Sequence, residues 1–122
     1  KRNQLANRYI EKMSNVDISF QNILNNSYSS YHLFVISLKD RNDILNKKNI
    51  FESLRSFGIG VNIHYIPIYH HPYYKKLGFK RHWYPNSENY YDSAISIPLY
   101  PGLSFESQDY VIEKLSNLLL SK

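Results

Sequence analysis

The sequence predicts an α/β domain: a small sheet of about three strands with helices packed against it. Three observations carry this. Apolar residues recur at helical spacing near both ends of the chain, at Leu5, Tyr9 and Met13 and again at Val111, Leu115 and Leu118. The run 31–38 is β-branched, aromatic and almost continuously apolar. Two shorter stretches, 61–65 and 95–99, have strand character and are closed by proline. A chain of 122 residues fits one domain and buries roughly two-thirds of its unfolded surface at this size.

The elements follow in order. Residues 2–14 read as a helix with Leu5, Ala6, Tyr9, Ile10 and Met13 on its inner face and Arg2, Arg8, Glu11 and Lys12 in water. Asn15 and Asp17 terminate it, and Ile18 and Phe20 pack on its end. Asn25-Asn26-Ser27 centres a turn-rich stretch. The apolar strand ending at Leu38 suits a position covered on both faces. Asp40 or Asn42 caps a second helix whose buried stripe is Ile44, Phe51, Leu54 and Phe57, and Gly58 ends it. Val61 and Ile63 alternate with Asn62 and His64, predicting a strand that stops near Tyr65 before Pro67. A strand, helix, strand run of this kind fits one right-handed crossover if parallel; an antiparallel partner is equally open. Pro72 opens a helical turn, and Asn86 or Ser87 caps a short helix through Tyr91 and Ala94. Residues 95–99 form a brief strand closed by Pro98, and Ser104 caps the last helix.

Composition narrows the function. With 43% apolar and 20% charged residues the chain supports a core and is not a disordered polyelectrolyte. No stretch approaches the apolar length of a membrane span. The absence of cysteine removes disulfides and thiolate metal sites and allows a reducing compartment such as the cytoplasm. The net charge of +5 favours anionic partners; surface lysines that keep the protein in solution account for the same charge.

The chemistry concentrates in 58–74, where His64, Tyr65, Tyr69, His70, His71, Tyr73 and Tyr74 crowd a loop stiffened by Pro67 and Pro72. Such a loop makes a good ligand wall, because polar-tipped rings lose little rotamer freedom on binding. Adjacent histidines do not chelate one ion comfortably, and no paired carboxylate stands at ligand spacing, so no metal is expected. No nucleophile elbow or glycine-rich phosphate cradle is present. Lys75, Lys76, Lys80, Arg81 and His82 form the densest basic patch; it lacks any nucleic-acid module's signature, and no nucleic-acid partner is expected.

The order of motifs resembles one family. An Arg-rich opening helix leads to Tyr9, an apolar strand follows over 33–38, and a helix closes on Gly58-Ile59. Then come His64-Tyr65-Ile66-Pro67, Pro72-Tyr73-Tyr74 and Ser96-Ile97-Pro98-Leu99-Tyr100-Pro101. Together these resemble the C-terminal small domain of the DegT/DnrJ/StrS aminotransferases, pyridoxal phosphate (PLP) enzymes of fold type I acting on sugar nucleotides, and within them the pseudaminic acid branch. The resemblance implies a UDP-linked 4-keto-6-deoxy sugar substrate, glutamate as amino donor and a homodimer. It implies that His64, Tyr65, Tyr69, His70 and Tyr73 bind substrate. It also implies that the PLP lysine belongs to a large domain outside residues 1–122, so that this piece is inactive alone. None of Lys39, Lys47, Lys48, Lys75 or Lys76 sits in a matching motif. Many members carry a His where this chain has Tyr69, leaving open whether the Tyr69 hydroxyl replaces it. The beginning at Lys1, inside a helical pattern, agrees with a piece of a longer protein. The alternative is a free-standing carbohydrate- or nucleotide-binding module using the same loop.

Overall fold

The computed structural model describes residues 1–39 and 47–120. The expected caps Asp40 and Asn42 and the stripe residue Ile44 lie outside them. The order is α1 (Arg2–Lys12), β1 (Ile18–Phe20), β2 (Phe34–Leu38), α2 (Lys47–Ser56), α3 (Pro72–Lys76), α4 (Pro85–Ser93), β3 (Ala94–Ile97) and α5 (Phe105–Leu120), with 3-10 turns at Ile68–His70 and Arg81–Trp83. The three strands form one sheet in the order β1-β2-β3, antiparallel throughout. The α/β expectation holds; of the two senses left open for the segment at Asn62, it runs parallel to β2, with β3 between them and antiparallel to both.

Strand alternation gives the sheet two unlike faces. Phe34 stands opposite Ile97 and Ile36 opposite Ile95. These four are buried in one core with Leu5, Tyr9, Leu54 and Leu115 from the helices. Tyr9 stacks on Phe34 with ring centroids 5.2 Å apart and donates its hydroxyl to the Pro98 carbonyl at 3.0 Å. The opposite face carries Val35, Ser37, Ala94 and Ser96 and lies beneath α4. Val35 and Ser37 are only half-buried, so β2 is central in its sheet but fully covered on one face alone.

Four local expectations are corrected. Ile18 and Phe20 do not merely pack on a helix end; they belong to β1, which pairs with β2. Three residues are too few to display a period of two. The strand expected over 61–65 reduces to one bridge between Asn62 and Ser96. On that register Gly60 faces Pro98, which has no N–H to donate, and His64 faces Ala94, whose N–H is taken by the Tyr90 carbonyl at the end of α4. Phe57 lies just past α2 and is 40% exposed. Finally, α4 begins at Pro85 after Tyr84, ahead of the expected caps, because proline's fixed φ suits the first helical position.

The helix ends follow sequence closely. Gly58 takes φ +76°. Its N–H bonds the Arg55 carbonyl at 3.0 Å, and the Ile59 N–H reaches back to Leu54 at 3.0 Å. This is the paired 5→2 and 6→1 closure that a left-handed residue permits. Ile59 and Leu54 are both buried in the one core. At the start of α5 the Ser104 hydroxyl accepts the Ser107 N–H at 3.0 Å. Arg8, expected in water, is partly buried and reaches across to α5, bonding Asp109 at 2.6 Å and Gln108 at 3.2 Å.

Candidate functional site

The site grows from the second sheet face. Ser96 is buried there, and its backbone bridges Asn62 through two hydrogen bonds of 2.9 and 3.0 Å. Two residues on, His64 Nδ1 meets the Ser96 hydroxyl at 2.8 Å, so the imidazole is anchored to the sheet while its ring stays half-buried. The His64–Tyr65 peptide is cis. Tyr65 leans edge-on against His64, centroids 4.7 Å apart, and is 75% exposed. Ile66 and Ile68 are exposed as well.

Pro67 then turns the chain inward. The His70 N–H bonds the Pro67 carbonyl at 2.8 Å, and Tyr69 enters the interior at 6% exposure, stacked on Tyr84 at 4.6 Å. His70 Nε2 meets Glu88 Oε1 at 2.6 Å, and its ring sits edge-on to Tyr91 at 5.6 Å. Pro72 starts α3, which sets Tyr73 at the surface, 67% exposed and edge-on to Tyr74. The five residues read from sequence thus split in two. His64, Tyr65 and Tyr73 reach or approach solvent, whereas Tyr69 and His70 face inward and hold the loop from below.

Glu88 organises this lower layer. Its other oxygen, Oε2, accepts the Arg81 Nε–H at 2.6 Å, and Arg81 Nη2 also pairs with it. Burial alone pushes the Glu88 carboxyl up; the Tyr69 hydroxyl, Arg81 and His70 outweigh that and pull it down to about 2. Burial likewise raises the Tyr69 phenol. Its hydroxyl lies near Glu88 and Ser87 but meets neither in good hydrogen-bond geometry. Arg81 is therefore committed, and the remaining basic patch at the surface is Lys75, Lys76, Lys80 and His82.

Beside this layer Ile63, Tyr65, Ile66, His71 and Tyr91 line an open groove of about 460 Å³. Its walls are mostly apolar or aromatic, with Tyr65, Tyr91 and His71 as the residues that carry polar groups, the mix typical of small-molecule sites. Among the described residues no three His, Asp or Glu side chains converge to hold a metal ion.

Sequence reasoning passed over Ser96, Glu88, Tyr84 and Tyr91 as site residues. Glu88 is the first acid after the basic run 75–82, a visible signal for it. Ser96 opens one of the motifs, but nothing local marks its hydroxyl as a site group, because its partner is 32 residues away.

The sequence profile of the DegT/DnrJ/EryC1/StrS aminotransferase family matches residues 1–116. The chain belongs to this family. It is 33% identical over 120 residues to the UDP-4-amino-4,6-dideoxy-N-acetyl-beta-L-altrosamine transaminase of Campylobacter jejuni, an alignment covering 98% of this chain and 31% of the relative. It is 34% identical over 92 residues to the spore coat polysaccharide biosynthesis protein SpsC of Bacillus subtilis, covering 74% and 24%. Its fold matches Helicobacter pylori PseC, an aminotransferase involved in pseudaminic acid biosynthesis, with TM-score 0.87 and 27% identity over 99% of this chain and 32% of that one. Spr1654 of Streptococcus pneumoniae, assigned provisionally as a sugar aminotransferase and solved with PLP, matches with TM-score 0.89 and 27% identity over 98% and 31%. This family member therefore spans about a quarter to a third of the length of these relatives.

The described residues do not by themselves fit PLP. The cofactor needs an uncommitted amine inside a pocket as covalent anchor, and Lys75, Lys76 and Lys80 stand at the open surface. Burial depresses the Lys47 ammonium, with Asp92 opposing, yet Lys47 lies 4.0 Å over the Tyr91 ring and donates to the Tyr91 carbonyl.

Proposed function

We propose that this chain is the C-terminal, substrate-side domain of a PLP-dependent aminotransferase that aminates a 4-keto-6-deoxy sugar nucleotide. The substrate in this reading is UDP-linked and serves pseudaminic acid or a related surface glycan, with glutamate as amino donor. Family membership and the likeness to the Campylobacter and Helicobacter enzymes support the reaction class. The observation that carries the site is the apolar groove rimmed by exposed Tyr65, beside an imidazole that Ser96 holds to the sheet.

The residues divide the work. The groove wall of Ile63, Ile66 and Tyr91 excludes water from one side of a cleft. Ser96 occupies His64 Nδ1, leaving Nε2 as the ring nitrogen that contacts substrate. Tyr65 and Tyr73 offer flat faces and hydroxyls to the sugar nucleotide. Lys75, Lys76 and Lys80 favour its diphosphate. Tyr69 and His70 act from beneath, fixing the loop. PLP, held by a large domain of the same longer polypeptide, supplies the electron sink that lets an amino group pass to the keto carbon. The complete protein in this reading is a cytoplasmic homodimer, and residues 1–122 alone do not transaminate.

The test uses the complete protein that contains this chain. It should purify with the visible absorbance of bound PLP and convert a UDP-4-keto-6-deoxy-N-acetylhexosamine to the amino sugar in the presence of glutamate. A folded complete protein that neither binds PLP nor aminates this substrate contradicts the proposal. Retained sugar-nucleotide binding in that case would favour the free-standing module.

A further inference from the structure

We propose that Glu88 is a positioning residue: its two carboxylate oxygens divide between His70 and Arg81, and this fixes the pose in which the 64–74 loop presents Tyr65 and Tyr73. Its consequence for turnover rests on the function proposed above; its consequence for the loop does not.

The loop needs such a clamp. After Asn62 leaves Ser96, the backbone bonds of this stretch are local, as in His70 to Pro67 and His71 to Ile68. The loop reaches other elements through side chains: His64 to Ser96 on β3, and His70 to Glu88 on α4. The second contact lies past the middle of the loop, so together they hold it at two separate points. Both partners are well shielded, with 15% of the His70 side chain and 12% of the Glu88 side chain exposed. Shielding strengthens the contact relative to one in bulk water. Stacking supports the same joint: Tyr69 lies on Tyr84 and His70 edges onto Tyr91, two rings that flank Glu88 along the chain.

A carboxylate suits this place for a chemical reason. It only accepts hydrogen bonds, and it has two oxygens with which to serve donors on different segments. Arg81 donates to Oε2 from the 3-10 turn, which orients the carboxylate so that Oε1 faces His70. A glutamine of the same shape can still accept from Arg81 and donate its NH2 to a neutral His70 ring nitrogen, but it carries no charge, so both contacts weaken and the clamp loosens. A bland internal ion pair would stabilise the fold as a whole; a clamp acts on the loop.

The experiment compares wild-type, Glu88→Gln and Arg81→Ala forms of the complete protein. Hydrogen exchange should accelerate in peptides covering 64–74 in Glu88→Gln, with β2 and α5 unchanged. Arg81→Ala, which removes a side chain 61% exposed, should shift the same peptides by less and keeps the test open should Glu88→Gln fold poorly. With a nucleotide-sugar substrate, KM should rise about 10-fold or more, as expected for a displaced binding group. PLP content and the donor half-reaction should stay at wild-type level. Unchanged exchange in 64–74, or acceleration spread equally over β2 and α5, overturns the proposal, as does a freed loop with unchanged KM. Should the wild-type protein aminate nothing, the proposed function fails, while the exchange comparison still decides the role of Glu88.

Discussion

Asp109 accepts hydrogen bonds from Arg8 at 2.6 Å and Lys12 at 2.8 Å, tying α1 to α5, much as Glu88 ties the tyrosine-rich loop to α4. The Arg8 and Lys12 bonds, against a small opposing effect of burial, lower the Asp109 carboxyl from 3.8 to about 2, and Glu88 falls from 4.5 to about 2. The sign follows from linkage. A carboxyl whose pKa is lower in the folded state contributes stability above its unfolded value and loses it as pH falls through the folded one. Stability should therefore decline between about pH 4.5 and pH 2. Thermal melts across that window check it: Asp109→Asn should flatten the decline relative to wild type, whereas parallel curves would contradict it. At this scale the sequence was least legible. Tyr65 and Tyr69 read as equivalent loop phenols, yet one is at the surface and the other is stacked on Tyr84. What separates them is a partner in a later segment, and nothing in the local spacing announces it.

At the scale of elements the helices were legible and the short strands were not. Helical spacing repeats over several turns in α1 and α5, and their inner faces match the buried core at Leu5, Tyr9, Val111 and Leu115. Caps add chemistry that is read locally, as Ser104 shows. Strand β1 has three residues and borrows its identity from β2, so its pattern alone says little. The expected strand at 61–65 had the right alternation, but its ladder stops at Pro98 on one side and, on the other, at Ala94, whose N–H is bound to the end of α4. The end of α2 offers a clean test. Gly58 has positive φ with open space where a Cβ would stand, and Gly60 has the same open space without the positive φ. Gly58→Ala should then destabilise by about 1–2 kcal/mol, the cost of a left-handed L-residue, while Gly60→Ala stays near wild type. Equal melting temperatures for the two variants would contradict this.

At the scale of the whole chain, the described residues form a sheet with a structural face and, in the proposed reading, a working face. The core face collects α1, α2 and α5 and most of the apolar burial. The other face carries Ser96, and from that one hydroxyl the site is built outward through His64 to Tyr65 and the groove. Family and fold class were legible because the motif order 64–67, 72–74 and 96–101 is local in sequence. The layering of the site was not, because it depends on which face of the sheet each motif meets. The central claim is that this working face is one wall of a sugar-nucleotide cleft whose cofactor is held elsewhere. The most direct measurement is the turnover of the nucleotide-sugar substrate, set against PLP content, for His64→Ala and Tyr65→Phe in the complete protein. The account predicts turnover reduced at least about 10-fold for His64→Ala, and by a smaller factor for Tyr65→Phe, with PLP content unchanged. Turnover and PLP content falling together, or neither falling, would contradict it.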